Sequence, residues 1–559
     1  MAVQRLTTRS AASERGEEMR EILRRDYDTI IVGGGAAGVR LASEMVRRGD
    51  RDVLLLESGA SHAGPNSRVP AFYPRAFGGR LDWGYATVPQ RQLGGRKIML
   101  PSGKLLGGST GINAMIWIEP SDGCLLEFQE AGSERWSVVR LREDFALLRA
   151  EMLRDGHLSA PALHPNTRGF DFQLHRDLGW DSAILDRARL GVGAYRRTQQ
   201  LGRRVSSAAL LRNVVGKLTV LTEAHVEELH WGSERVQGVN LRLGGESVTV
   251  KGSQIVLCCG AIGTPALLYK SGIGPAEMLR EAGIEVRHAL EGVGQGLQDH
   301  LIYPMVYRLE SGAPFGLPMN ELDRRLYMQV GDGPKSSNLS EYGGFFDAHG
   351  TSGELEVSGS TGLSSRGTLG ASPVFQWHVT PTDYLRYPRY KAEYPAISVG
   401  VSLCKPRSRG AVRIRRNDGC NGGTELLIDP NYLGDEGDYI ALRKAVHSTL
   451  GHLRRLIQFS DSVACDPGAF PRVLEEVFPG ESRGEEAVAA TIRKFSTTLY
   501  HYSSSCRFGG DPLAPVDTQL RVKGLEGLYV CDASVLPSVL GCNPQAMVQV
   551  LAIRLADWL

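Results

Sequence analysis

The 559 residues contain no stretch approaching 18 uninterrupted apolar positions, so nothing in the sequence is expected to span a membrane as a helix. The first 25 residues mix Arg and Glu throughout and hold no apolar segment of the secretory kind. There is no excess of either charge. Lys and Arg number 64 against 62 Asp and Glu, a formal net charge of +2, which gives no reason to expect nucleic acid or anionic lipid as a partner. None of the nine cysteines stands in a C-x-x-C pair, so no zinc, iron–sulfur or other metal site is expected. Their odd number, with no signal sequence, reads as reduced thiols in a cytoplasmic protein. Asn338-Leu339-Ser340 is a formal glycosylation sequon, expected to be idle. No internal repeat is visible.

What is present in quantity is glycine, 67 residues. That suits a chain with many tight turns and close approaches of backbone to a ligand. The length suits two intimately joined domains. After a charged leader, read as a frayed helix to about Arg25, the pattern changes. Tyr27-Asp28-Thr29-Ile30-Ile31-Val32 is a β-branched run, Gly33 to Gly38 follows, Val39 to Arg48 reads as a helix, and Val53 to Leu56 is a second strand ending at Glu57. This is a βαβ unit with G-x-G-x-x-G at its first turn. Gly33 makes the tight turn, Gly35 lets backbone approach a pyrophosphate, and Gly38 allows close packing of helix on strand. Ala36 and Ala37 lie in this turn, just before the helix whose N-terminus faces the phosphates. Glu57 lies about 20 residues downstream, where a carboxylate accepts hydrogen bonds from the adenosine ribose. By itself the unit leaves NAD and FAD both open.

Six further stretches, 103–120, 260–274, 292–300, 501–509, 528–534 and 541–544, together resemble the glucose–methanol–choline (GMC) oxidoreductases. Gly103 to Pro120, including Gly107-Gly108-Ser109, Asn113 and Trp117, is similar to that family's first signature, with Leu126 departing at its far end. Gly260 to Leu268, leading into Ser271-Gly272-Ile273-Gly274, is similar to the second. Gly292-Val293-Gly294-Gln295-Gly296-Leu297-Gln298-Asp299-His300 resembles a third run, with Gly296 in place of Asn. His501 to Gly509, then Leu528 to Ser534, then Gly541-Cys542-Asn543-Pro544 resemble the C-terminal motifs.

The resemblance implies an α/β FAD-binding Rossmann-type domain with an α+β substrate domain built on an antiparallel sheet. The expected boundaries are a leader at 1–25, a discontinuous FAD-binding domain at 26–155, 200–310 and 495–559, and a substrate domain at 156–199 and 311–494. Alternation at Ala396–Leu403 and Ala411–Arg415 supports sheet in the latter, and residues 347–371 read as a loop. The resemblance places Ser58, Ala114, Val226, Asp532, Ala533 and Pro544 on the cofactor beside the residues above. It makes His501 the base that takes a proton from an alcohol and Asn543 the hydrogen-bond donor to the substrate oxygen. Ile112 stands where some members carry a His that links FAD covalently, so FAD is expected to be non-covalent. His300 reads as scaffold. The implied reaction is oxidation of a small alcohol, with oxygen or another electron acceptor as the oxidising partner. A lyase or decarboxylase on the same flavin is the alternative.

Overall fold

The computed structural model describes residues 4–6, 21–49, 51–61, 64–160, 163–180, 182–212, 214, 218–233, 235–310, 321–346, 374–385, 394–417, 423–460, 473–476 and 484–559. The expected loop at 347–371 lies outside them. Strand Tyr27–Val32, helix Ala36–Arg48 and strand Val53–Glu57 form the βαβ unit. Ile30, Ile31 and Val53 to Leu56 are buried almost completely, as in a parallel sheet covered on both faces. That sheet runs in the order Gln4–Leu6, Leu218–Thr222, Val53–Glu57, Tyr27–Val32 and Glu246–Leu257, with Leu528–Val530 also on the last of these.

Glu246–Leu257 has two lives. Its first half closes an antiparallel meander with Val236–Leu243 and Ala224–Trp231, and its second half joins the parallel sheet. Of the described leader residues, 21–24 are helical as expected, and the departure lies at its start. Gln4–Leu6 is a strand, paired in parallel with Leu218–Thr222, where the open edge of a sheet offers unpaired N–H and C=O groups to any extended segment. Helix Gln545–Trp558 packs on helix Ala36–Arg48 and is buried on nearly all sides, not merely on one stripe.

A second sheet is largely antiparallel. Its order is Val473–Glu476, Leu301–Leu309, Ala396–Leu403, Phe375–Thr380, Tyr342–Phe346, Gly191–Arg197 and Ile116–Trp117. Gly410–Asn417, the other alternating stretch, belongs to a separate three-stranded sheet. The two-residue strand Thr497–Thr498 pairs with Leu301–Ile302, which carries the chain just before His501 alongside the residue that follows His300. Asn338 is fully buried, its Nδ2 donating to the Ala114 carbonyl at 2.6 Å, so the sequon is closed in this fold.

Candidate active site

One cavity of about 570 Å3 lies between the two sheets. It starts at the carboxyl ends of the parallel strands, where open α/β sheets hold ligands. Every predicted site residue borders it except Gly38 and Gly107. Those two shape its wall. A Cβ on Gly38 would lie 2.0 Å from the Gly33 carbonyl oxygen, and Gly107 has φ +101°. Gly35 is the opposite case. A Cβ there would meet nothing within 4 Å, because it would point into the cavity. No side chain caps helix Ala36–Arg48, so its first-turn amides are left for a ligand.

Glu57 sits at one end. Gly34 N and Gly59 N donate to its two oxygens at 2.9 and 2.7 Å, and burial raises its pKa to about 7. Each carboxylate oxygen keeps a lone pair for a further donor. Ser58 Oγ lies 3.1 Å from His225 Nδ1. Asp532 takes Gly260 N at 2.8 Å, Thr264 Oγ1 at 2.6 Å and Ser534 N at 2.7 Å. The Asn113 amide is spent inside the protein: Nδ2 donates to Gln545 Oε1 at 2.7 Å, and Arg204 donates to its Oδ1 at 2.7 Å. An elongated groove with free helix amides at its waist and a carboxylate at one end fits a dinucleotide.

His501 stands at the other end. Its backbone N–H donates to Asp299 Oδ1 at 2.7 Å, and Thr498 Oγ1 and Tyr432 Oη donate to the other oxygen of that carboxylate. The flanking residues Tyr500 and Ser504 have φ +68° and +71°, a conformation that non-glycine residues hold only when their surroundings impose it.

The ring is fixed as firmly. The Cys404 carbonyl can only accept, so His300 Nε2, 2.8 Å away, carries the proton. Burial pushes the His300 pKa down to about 4 and that of His501 well below 6.5, so both rings are neutral at neutral pH. His300 Nδ1 is therefore an acceptor, and His501 Nδ1, at 2.8 Å, must be the donor. That leaves His501 Nε2 bare, met by Asn543 Nδ2 at 3.0 Å. Asn543 Oδ1 is buried without a partner. His300 thus does more than the scaffold role read from sequence: it selects the tautomer of its neighbour.

The floor of this end comes from three adjacent strands. Ile302 and Pro304, His378 and Thr380, and Ser398 and Gly400 all border the cavity, each pair two residues apart and so on one face. His378 lies in register between Gly343 and Gly400. It is 3% exposed, neither ring nitrogen has a partner, and burial pushes its pKa to about 3. Aromatic side chains make the wall. Tyr73 and Phe77 pack edge-on at 5.8 Å, Phe77 and Tyr500 at 5.3 Å, and the Tyr384 and Tyr500 hydroxyls are 3.5 Å apart. No motif announces His378 or this wall. The only sequence signal for His378 was alternation in a strand, which cannot tell which face looks into a site.

Two models described as GMC oxidoreductase match the chain, over residues 27–302 and 406–552. The chain is 29% identical over 556 residues to an alcohol dehydrogenase [acceptor] of Pseudomonas putida, covering 95% of each. It is 30% identical over 570 residues to an oxygen-dependent choline dehydrogenase of Yersinia pseudotuberculosis, covering 95% of this chain and 93% of that one. Its structure is similar to that of pyridoxine 4-oxidase from Mesorbium loti, with a TM-score of 0.78, 27% identity, and coverage of 95% and 99%. With both halves of the family pattern matched in order along one chain, this protein belongs to the GMC oxidoreductase family.

Proposed function

We propose that the protein oxidises an alcohol with non-covalently held FAD, His501 accepting the hydroxyl proton and Asn543 holding the substrate oxygen. The observation that carries this is the bare Nε2 of His501, turned into the cavity and met by an amide donor. A neutral alcohol is a poor hydride donor and an alkoxide a good one, so a base with a free lone pair is what the reaction needs. FAD supplies the hydride acceptor when bound. Gly33, Gly35, Ala36, Ala37, Gly108 and Ser109 would receive its phosphates and Glu57 its ribose. Ser58, Ala114, Val226, Asp532, Ala533 and Pro544 would line the rest of its length. Ile112, on the wall, offers no nucleophile for a covalent link.

When the alcohol oxygen takes the place of the His501 lone pair as partner to Asn543 Nδ2, the amide holds the developing negative charge without titrating. Residues 26–155, 200–300 and 495–559 would supply most of the cofactor side and 156–199 and 311–494 the substrate side; strand Leu301–Leu309, expected with the cofactor domain, pairs instead with Ala396–Leu403 in the second sheet. Oxygen or another acceptor completes the cycle. The test is anaerobic mixing with a panel of alcohols, read by flavin bleaching. Wild type should bleach with at least one alcohol, and His501→Ala, still yellow, should be slower by roughly a hundred- to ten-thousand-fold. Equal rates would place the base elsewhere.

A further inference from the structure

We propose that the chamber over His501 selects neutral alcohols carried on a flat, π-rich body, of the arylmethanol kind, and rejects alcohols bearing a fixed positive charge. The proposal rests on the alcohol-oxidising reading above and narrows it to a substrate class.

Two observations carry it. The first is the distribution of charge. The charged side chains that border the cavity are Glu57, Glu227, Lys270 and Asp532. All four belong to the strands and helix of the cofactor side: the end of Val53–Glu57, strand Ala224–Trp231, helix Gly260–Lys270, and the turn after Leu528–Val530. Among the described residues, every side chain contributed by the second sheet and by the loop around His501 is neutral. The two histidines there, His378 and His501, are deprotonated by burial, and so is His300 behind them. A cationic substrate would leave its water for a chamber with no carboxylate to meet it. An uncompensated buried charge is expensive, and ring faces alone return only part of that cost.

The second observation is the wall. Tyr73, Phe77, Tyr500 and Tyr384 form a continuous aromatic surface from the cavity rim to the residue before the base. Phe77 is its half-buried middle member, in contact with a ring on either side. On the sheet, His378 is flanked in register by Gly343 and Gly400, and His378 and Gly400 border the same cavity. Aromatic faces and edges favour a ring that can lie offset or edge-on to them over a saturated ring of equal size.

Binding, not turnover, separates this proposal from the reading beneath it, because it is measured without any reaction. Holoenzyme is titrated with three unreactive probes, benzamide, cyclohexanecarboxamide and tetramethylammonium, and the shift of its visible flavin band is followed. Benzamide should bind about 3- to 10-fold more tightly than cyclohexanecarboxamide, and tetramethylammonium at least about a hundredfold more weakly than benzamide. Phe77→Leu should bring the two amides within about twofold of each other while the flavin stays bound. Comparable binding of tetramethylammonium and benzamide, an unchanged amide ratio in Phe77→Leu, or no response to benzamide would each overturn the proposal. Should the probes behave as expected while no alcohol bleaches the flavin, the chamber assignment stands and the alcohol-oxidising reading fails.

Discussion

At the scale of single residues, the protein depends on which nitrogen of one imidazole is bare. His501 is held below its ordinary pKa first by burial and then by His300 and His378. Protonation would consume the lone pair that the proposed reaction needs for the substrate proton. The rate of flavin reduction should therefore be flat at and above neutral pH and fall only as pH drops below 6.5. That acid limb should be missing from His501→Ala, whose barrier should rise by about 3–5 kcal/mol; a limb that persists would assign it to another group. Asn543→Ala loses one donor and no proton acceptor, so about 3 kcal/mol is its ceiling. His300→Ala leaves Nδ1 of His501 without its acceptor and the tautomer unselected. Rates should drop on the order of tenfold to a hundredfold with the acid limb displaced. A slower enzyme with an unmoved limb would mean that His300 only supports packing.

At the scale of elements, the glycines of the first turn divide into two kinds that the motif does not distinguish. Gly35 faces open space, so Gly35→Val should fold and fail to load flavin. A Cβ added at Gly38 would lie 2.0 Å from the Gly33 carbonyl oxygen, so even Gly38→Ala should destabilise the apoprotein, by about 1–3 kcal/mol. Thermal melts of the two apoproteins, set beside their flavin content, check both statements; a Gly35→Val apoprotein that melts well below wild type would reverse the assignment. The βαβ unit was legible because its chemistry is local: a turn, a helix start and an acid at fixed spacing. His501 and Asn543 were legible through motif resemblance. The pairing of His300 with His501 was not, because it depends on Thr497–Thr498 lying beside Leu301–Ile302, a contact between strands almost two hundred residues apart. Helix Gln545–Trp558 is buried on nearly all sides for the same reason, since its outer face is covered by distant elements.

At the scale of the whole molecule, the cofactor groove is walled by both sheets and by segments from Val32 to Val548. A ligand bound there ties together parts of the chain that meet nowhere else in sequence. Flavin at about a hundred times its dissociation constant should add about 2.7 kcal/mol to stability. Apoprotein should then melt measurably lower and recover on adding FAD; melting curves that ignore FAD would count against a groove shared by the two sheets. Acid precipitation should send yellow FAD to the supernatant, as Ile112 implies, and colour retained in the pellet would show a covalent link. Trp136, Phe508 and Trp558, drawn from three separated stretches, pack into one cluster, Phe508 stacked on Trp136 and Trp558 edge-on to it, a join that no local pattern predicts.

The row of hydrogen bonds that runs inward from Asn543 through two imidazoles ends at the Cys404 carbonyl. A carbonyl keeps no proton at neutral pH, so this is a wire without an outlet. A proton taken at Nε2 can be shared between the two rings and can leave only through the chamber it entered by. On the proposed reading the site would work as a one-place proton store, filled in the first half of the cycle and emptied in the second. Acceptors that need protons with their electrons are served from that store. In weakly buffered solution, anaerobic reduction should release no proton to an indicator dye, and only an acceptor that takes electrons without protons, such as ferricyanide, should then release it; release during the reduction itself would show that the proton escapes.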